Sequence, residues 1–285
     1  MKIDANSVTF EPQDMAFVKK FGILEATEMA LDYHAEHPNL PFLYDAEQLA
    51  GFLGISRGEL NDIVNHIQKE YKEAHLPKKD GTYRSLCVPS IRLRFCQDPI
   101  KEKILPQLPV SKFATAYQKG STTRGNAEPH IGKKFLLKLD ITDFFGSITF
   151  EQVQRTAFNT RYVSRQVGYL LTSLCCKDDS LPQGAATSPA LSNIVMYRFD
   201  DYIGRWCSQR QIAYTRYCDD MTFSANRPLY GVYQKVKTML REMGFELNES
   251  KTHFIGNDNR QSVTGLVVNE KLSIPSGYKR DLRQE

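Results

Sequence analysis

Two aspartates stand side by side in Tyr217-Cys218-Asp219-Asp220, between the apolar segments Ile212–Arg216 and Met221–Ser224. Both flanks read as short strands, which places the pair at a hairpin tip. Alone, an Asp-Asp turn is often a solvated surface feature. Here the apolar flanks offer the like charges no compensation, and a divalent cation would relieve them. A further carboxylate, Asp140, ends the largely apolar strand Phe135–Leu139, with Asp143 and Phe144-Phe145 just beyond. Asp140 together with Asp219 and Asp220 supplies carboxylates from two separate strands. A two-metal phosphoryl- or nucleotidyl-transfer site needs such a set: one ion lowers the pKa of an attacking hydroxyl, and both stabilise the in-line transition state. A third feature is Leu181-Pro182-Gln183-Gly184-Ala185-Ala186-Thr187-Ser188-Pro189. Its small residues let a backbone approach a flat ligand closely. A plain glycine-containing loop before a capped helix accounts for it equally well.

The surrounding pattern must position these groups. The first 75 residues read as helices. Asp14–Asp32 has mixed helical periodicity, and a short helix starts at Asp45. After the turn Gly54-Ile55-Ser56, Ser56 and Glu59 form a capping box for a second helix with a buried face of Leu60, Ile63, Val64 and Ile67. The pair resembles a helix-turn-helix, but the second helix has few basic residues at its start, and a plain helical hairpin is the favoured reading. Asp80-Gly81 signals a hairpin turn with Ser85–Pro89 as its return strand. Ile91–Leu108 reads as a basic helix. Thr149 and Gln152 box a helical stretch running, with breaks, to Cys176. Ser188-Pro189 opens a helix whose apolar stripe is Leu191, Ile194, Val195, Met196, Phe199, Tyr202 and Ile203. A helix over Tyr230–Met243 stops at Gly244. Gln261–Val268 and Leu272–Ile274 read as a closing hairpin. Strands separated by irregular helical connections, without regular βαβ alternation, give an α+β class.

The 285 residues carry 37 Lys+Arg against 33 Asp+Glu, a net charge of +4, with 41% hydrophobic and 25% charged residues. This excludes a disordered chain, a collagen-like fibre and a disulfide scaffold. No apolar run approaches the roughly 18 residues of a membrane span, and the N-terminus lacks the apolar core of a secretion signal, so a cytoplasmic protein is expected. Residues 1–75 are rich in acids, whereas 77–134 are rich in Lys and Arg, a hint of a phosphate-bearing partner. Cys87, Cys96, Cys175, Cys176, Cys207 and Cys218 show no zinc-ligand spacing and read as reduced thiols.

Phe135–Phe145, Leu181–Asn193, Tyr217–Asp220, Gly244–Thr252 and Val263–Asn269 follow the order of the palm motifs of reverse transcriptases, and the chain resembles that family. Tyr217-Cys218-Asp219-Asp220 looks like its Tyr-x-Asp-Asp box, with Cys where Ala is commoner. Leu181-Pro182-Gln183-Gly184 with Ser188-Pro189 resembles its Leu-Pro-Gln-Gly…Ser-Pro box. A narrower resemblance is to bacterial retron reverse transcriptases, through Asn126-Ala127-Glu128-Pro129-His130 and Val263-Thr264-Gly265.

The resemblance implies a right-hand polymerase fold, α+β, with fingers and palm and an antiparallel palm sheet. The corresponding parts would be an N-terminal helical extension over 1–74, fingers over 75–134, and the first catalytic strand of the palm over 135–150. Fingers and palm helices would span 151–180 and the palm 181–262, with a primer-grip hairpin over 263–285. Family members carry a helical thumb beyond the point matching Asn269. Only the residues to Glu285 follow here, among them Lys279, Arg280 and Arg283, so the thumb is expected to be largely absent and phosphate contacts to come mainly from the fingers. Asp140, Asp219 and Asp220 are implied as catalytic, and with Ile141 as ligands of two Mg2+ ions. Lys78, Lys79 and Arg84 would neutralise the incoming triphosphate, Arg through its bidentate fork. Phe145 would clash with a ribose 2′-OH and select dNTPs, while Phe144 faces the core. Gln183 and Gly184 would shape the nucleotide pocket, and Lys251 would stand near the leaving pyrophosphate, with a solvated lysine the other reading. Nucleic acid would be met by Arg92, Arg94, Asn126, His130, Val263, Thr264 and Gly265. For His130 the residues themselves favour a satisfied structural histidine, and only the resemblance suggests the link to RNA. The implied partners are a dedicated non-coding template RNA, its DNA product and an effector protein, in antiphage defence, with priming from an RNA 2′-OH. A group II intron-type or other defence-associated reverse transcriptase and a non-catalytic RNA-binding scaffold are the competing readings.

Overall fold

The computed structural model describes residues 1–4, 7–77, 81, 83–161 and 163–274. The elements run in the order β1 (Lys2–Asp4), β2 (Ser7–Thr9), α1 (Met15–Phe21), α2 (Ile23–Glu36), α3 (Ala46–Leu53), α4 (Arg57–Asn65), β3 (Tyr71–Pro77), β4 (Tyr83–Pro89), α5 (Ile91–Pro99) and α6 (Thr123–Ala127). Then follow β5 (Phe135–Asp140), α7 (Phe150–Ala157), α8 (Arg165–Cys175), α9 (Ser188–Val195), α10 (Tyr197–Ser208), β6 (Ala213–Tyr217), β7 (Asp220–Ala225), α11 (Tyr230–Glu242), β8 (His253–Gly256), β9 (Ser262–Val263) and β10 (Leu266–Val267). The chain divides into two compact units, Met1–Pro109 with Ile148–Leu191, and Val110–Ser147 with Ser192–Glu285. None of the described helices is long and apolar enough to cross a membrane.

In the first unit, local chemistry sets the helix ends. Asp45 accepts the N–H groups of Glu47 and Gln48 and starts α3. Gly54, at φ +76°, ends it in the left-handed conformation that glycine adopts without strain. Ser56 and Glu59 close the reciprocal box at the head of α4, and Leu60 and Ile63 are buried beneath it. Thr149 and Gln152 do the same for α7. The first 75 residues are not all helical: β1 and β2 form an antiparallel hairpin, and β3 begins at Tyr71. The segment Ile91–Leu108 is not one α-helix either. Pro99 has no N–H for the helical ladder, and past it the chain widens into a π-turn over Ile100–Ile104 and then a 3-10 turn.

The second unit is built on a four-stranded antiparallel sheet of order β6-β7-β5-β8. Leu136, Leu137, Leu139, Met221 and Phe223 are almost fully buried on its strands. The apolar stripe after Ser188 is divided between α9 and α10 at Met196, where ψ is −3°. The last hairpin closes within Gln261–Val268. Thr264 and Gly265 both have positive φ, 45° and 82°, which makes a two-residue primed turn pairing β9 directly with β10. Leu272–Ile274 contributes only a bridge from Ser273 to Val267. The six cysteines are free thiols; Cys96, Cys175, Cys176 and Cys207 are buried, and Cys87 and Cys218 half-buried.

Candidate active site

Asp140 is the last residue of β5, the strand between β7 and β8, and it lies opposite Asp220, the first residue of β7. The turn between β6 and β7 is Cys218-Asp219, and the Ile141 N–H donates to the Asp219 carbonyl at 3.2 Å. One backbone bond thus ties the end of β5 to the turn, and all three carboxylates sit at one end of one sheet. Beyond β5, Thr142 N–H donates to Glu246 O and Asn248 N–H to Asp140 O, both at 2.8 Å. That tether brings the 3-10 turn Glu249–Lys251 beside Asp140, and the Lys251 ammonium donates to both Asp140 oxygens, at 3.1 and 3.0 Å.

The charges are crowded. Burial pushes the Asp140 carboxyl above its ordinary range, the Lys251 ammonium pulls it back, and the Asp219 charge adds to the rise. Asp220 is solvent-accessible, yet it too is raised, by partial loss of hydration and then by the charges of Asp219 and Asp140. Lys251 is held protonated above its usual value by its bonds to Asp140. Among the described residues no group of three His, Cys, Asp or Glu side chains is arranged to hold one metal ion as it stands. The donor set is nonetheless that of a hard divalent cation: carboxylate oxygens that repel one another, with a lysine supplying the positive charge at Asp140.

Phe144 and Phe145 differ in burial. Phe144 is buried, 6.2 Å from the Phe245 ring, whereas Phe145 is only half-buried. Gly184 has φ +121°, and a Cβ there would stand 2.8 Å from the Cys87 carbonyl. The close approach that this glycine permits is therefore to β4 of the chain itself, where the Cys87 N–H donates to the Gln183 carbonyl at 2.7 Å. Gln183 is half-buried, and Gly184 and Arg84 are exposed. Lys78 and Lys79 lie outside the described residues, as do Lys279, Arg280 and Arg283.

The residues expected to meet nucleic acid fall into three groups. Arg94 is exposed. Arg92 is already engaged: its Nη2 is 2.7 Å from both Asp62 and Glu70, which withdraws it from the free positive charge expected of it. The rest form a structural joint. Asn126 is buried; its Oδ1 accepts from Thr115 Oγ1 at 2.6 Å, and its Nδ2 donates to Thr264 Oγ1 at 3.3 Å. Thr264 in turn donates to the Thr123 carbonyl, so the two segments that resembled retron motifs separately are joined in space. Val263 packs in a core with Ala127, Leu136 and Val268, and only Gly265 of the hairpin is exposed. His130 has no exposed surface. Its Nδ1 lies 2.7 Å from Ser224 Oγ and its Nε2 2.9 Å from Thr215 Oγ1, on neighbouring strands. With both nitrogens engaged, the direct nucleic-acid contact expected of it is not available. Burial, with Lys133 nearby, pushes its pKa down to about 3 and keeps the ring neutral.

One residue of the site escaped the sequence reading. Arg216, on β6, is completely buried in an ion pair with Asp200 and donates through Nη1 to the Cys218 carbonyl at 2.8 Å. The only available signal was an arginine in a short apolar strand, directly before Tyr217-Cys218-Asp219-Asp220.

Residues 76–268 match the family described as reverse transcriptase (RNA-dependent DNA polymerase). Among curated proteins, the chain is 29% identical to the retron Ec86 reverse transcriptase of Escherichia coli, over 91% of this chain and 82% of that one. It is 34% identical to the retron Ec83 reverse transcriptase of Escherichia coli, over 74% and 72%. With the retron Mx65 reverse transcriptase of Myxococcus xanthus it shares 32% identity, over 86% of this chain but only 62% of the relative. Among solved structures, the telomerase of Candida albicans in complex with a fragment of telomeric RNA is similar in fold, with a TM-score of 0.52 and 13% identity. That match covers 74% of this chain and about half, 48%, of the telomerase.

Proposed function

The chain belongs to the reverse transcriptase family, in its retron branch, and on that premise we propose that it copies a dedicated non-coding RNA into DNA at the carboxylate cluster of Asp140, Asp219 and Asp220. RNA-directed DNA polymerisation is the activity of the family. The observation supporting its location here is the meeting of three carboxylates at one sheet end, with their charges crowded and a lysine beside them.

Asp140, Asp219 and Asp220, with Ile141 beside Asp140, would hold the divalent ions, two Mg2+ in this proposal. When bound, these ions supply Lewis acidity at the attacking hydroxyl and charge neutralisation at the phosphates. The chain's own groups do the remainder. The backbone bonds from Ile141 and Asn248 fix where the carboxylates point. Lys251 presents an ammonium beside Asp140 and would offset the charge of a leaving pyrophosphate. Lys78, Lys79 and Arg84 would neutralise the triphosphate, and Gln183 and Gly184 would border the base. Phe145 presents a ring to the sugar and excludes a 2′-OH sterically. Arg94 would meet backbone phosphates, whereas Asn126, Val263 and Thr264 would act by holding the hairpin that carries Gly265, and His130 by tying β6 to β7. Priming from a 2′-OH of the same RNA, a branched RNA–DNA product and a role in antiphage defence with an effector protein complete the proposal.

Sequencing the nucleic acid that co-purifies with the protein tests it. A single RNA species carrying short complementary DNA joined to it through a 2′ branch is the expected result. An intron RNA with no attached DNA would instead support the group II reading, and no enriched RNA would overturn the proposal.

A further inference from the structure

A full positive charge inside a protein costs several kcal/mol unless it is paired and hydrogen-bonded. Arg216 is buried to zero exposure, as is its partner Asp200. Its Nε donates to Asp200 Oδ1 at 2.9 Å and its Nη2 to Asp200 Oδ2 at 2.6 Å. The same Nη2 donates to Asn193 Oδ1 at 3.0 Å, and Nη1 is left to donate to the Cys218 carbonyl at 2.8 Å. A buried ion pair of this kind is frequently no more stabilising than apolar side chains of equal volume. What apolar side chains could not provide is a donor aimed at one carbonyl.

We infer that Arg216 is a positioning residue for nucleotidyl transfer: its guanidinium, oriented by Asp200 and Asn193, fixes the Cys218 carbonyl and through it the carboxylates of Asp219 and Asp220. The inference rests on the metal-site reading of those two aspartates.

The Cys218 carbonyl belongs to the peptide plane that leads into Asp219, so its direction sets where the Asp219 side chain begins. Cys218 itself has φ +62°. A non-glycine residue in that region is strained and persists only where the surroundings hold it. The guanidinium cannot swing to follow a relaxing turn, because its other donors are committed to Asp200 and Asn193. Asn193 is anchored in turn, its Nδ2 donating to the Ala116 carbonyl at 2.8 Å. The next residue, Tyr117, returns to the turn, with its hydroxyl 3.0 Å from Cys218 Sγ. The bonds make a closed circuit: Ala116 to Asn193, Asn193 to Arg216, Arg216 to Cys218, and Cys218 to Tyr117. The guanidinium holds the turn at the Cys218 carbonyl, and the phenol meets it at the Cys218 thiol. A lysine at 216 would keep the charge but has one nitrogen, which cannot span Asp200, Asn193 and the Cys218 carbonyl together.

The test is Arg216→Lys, with Tyr214→Phe as control. Tyr214 donates to Asp200 Oδ1 at 2.7 Å, so its loss loosens the same network without touching the turn. For Arg216→Lys, kcat for primer extension should fall at least ~10-fold, because small misplacement of a reacting group is costly. The KM for dNTP should stay within about twofold and RNA affinity should be unchanged, since binding energy is not what the turn supplies. Mn2+ affinity of the protein, read by electron paramagnetic resonance without turnover, should weaken. Tyr214→Phe should lower Tm and leave kcat as it was. Wild-type kcat in Arg216→Lys, or an equal fall in Tyr214→Phe, would overturn the inference. If Arg216→Lys does not fold, the neutral pair Arg216→Gln with Asp200→Asn replaces it, and wild-type kcat in that folded variant would overturn the inference as well. Asp219→Asn run alongside separates the two levels: if it stays active, the metal-site reading fails, whereas an inactive Asp219→Asn with a fully active Arg216→Lys removes only the role of Arg216.

Discussion

Acidification should destabilise this protein through His130, by an amount that follows from its burial. The ring is enclosed, bonded at both nitrogens to the hydroxyls of Ser224 and Thr215, and its pKa is pushed down to about 3. In the unfolded chain the ordinary value is about 6.5. The folded state therefore favours neutral imidazole, and below pH 6.5 the unfolded chain binds the extra proton. The stability that His130 contributes is present above about pH 6.5 and is lost as the pH falls toward 3. Between pH 8 and pH 5 the loss is RT ln(1 + 10^1.5), about 2 kcal/mol. The assay is urea unfolding of the wild type and His130→Gln at both pH values, comparing the gap between them so that other titrating groups cancel. At pH 8 the variant should be less stable by about 1–3 kcal/mol, for the lost hydrogen bonds. At pH 5 that gap should shrink by about 2 kcal/mol. A gap that is the same at pH 8 and pH 5 would show that His130 titrates normally in the folded protein and would refute the reasoning.

Phe145→Ala should raise rNTP incorporation relative to dNTP by at least ~10-fold, because the proposed discrimination is a steric clash rather than a hydrogen bond. Steady-state kinetics with both nucleotides decide it, and relaxation by Phe144→Ala but not by Phe145→Ala would show the assignment of the gate to be wrong by one residue. Gly184→Ala should destabilise the protein by on the order of 1–3 kcal/mol, since φ +121° is strained for alanine and its Cβ would press on the Cys87 carbonyl. Thermal unfolding measures this, and an unchanged Tm would mean that the loop relaxes without cost.

The features legible in the sequence were those made by neighbours in the chain. The capping boxes at Ser56 and Thr149, the strand ending at Asp140 and the hairpin around Asp219 each depend on residues a few positions apart, and each is present. The N-terminal hairpin was missed because three-residue strands carry almost no alternation to detect. The reach of β3 back to Tyr71 was missed because Tyr71–Pro77 is largely exposed and polar, so the pairing that makes it a strand comes from β4. The split of the last hairpin follows from the turn: Thr264-Gly265 closes on itself, leaving Leu272–Ile274 with only one bridge to make. The site was legible as aspartates but not as a supported site. His130 finds its partners 85 and 94 residues away, and Arg216 finds Asp200 on a different element. A polar residue in an apolar strand gives no indication, before folding, of which distant group will satisfy it.

The most direct test of the central claim is primer extension on an RNA template by Asp219→Asn, with RNA affinity and Tm measured on the same preparation. The substitution keeps the shape of the side chain and removes the negative charge that would face the metal ions. DNA synthesis lower by several orders of magnitude, with RNA binding and Tm nearly unchanged, is the predicted result. Primer extension near the wild-type rate would contradict the assignment of Asp140, Asp219 and Asp220 as the catalytic centre.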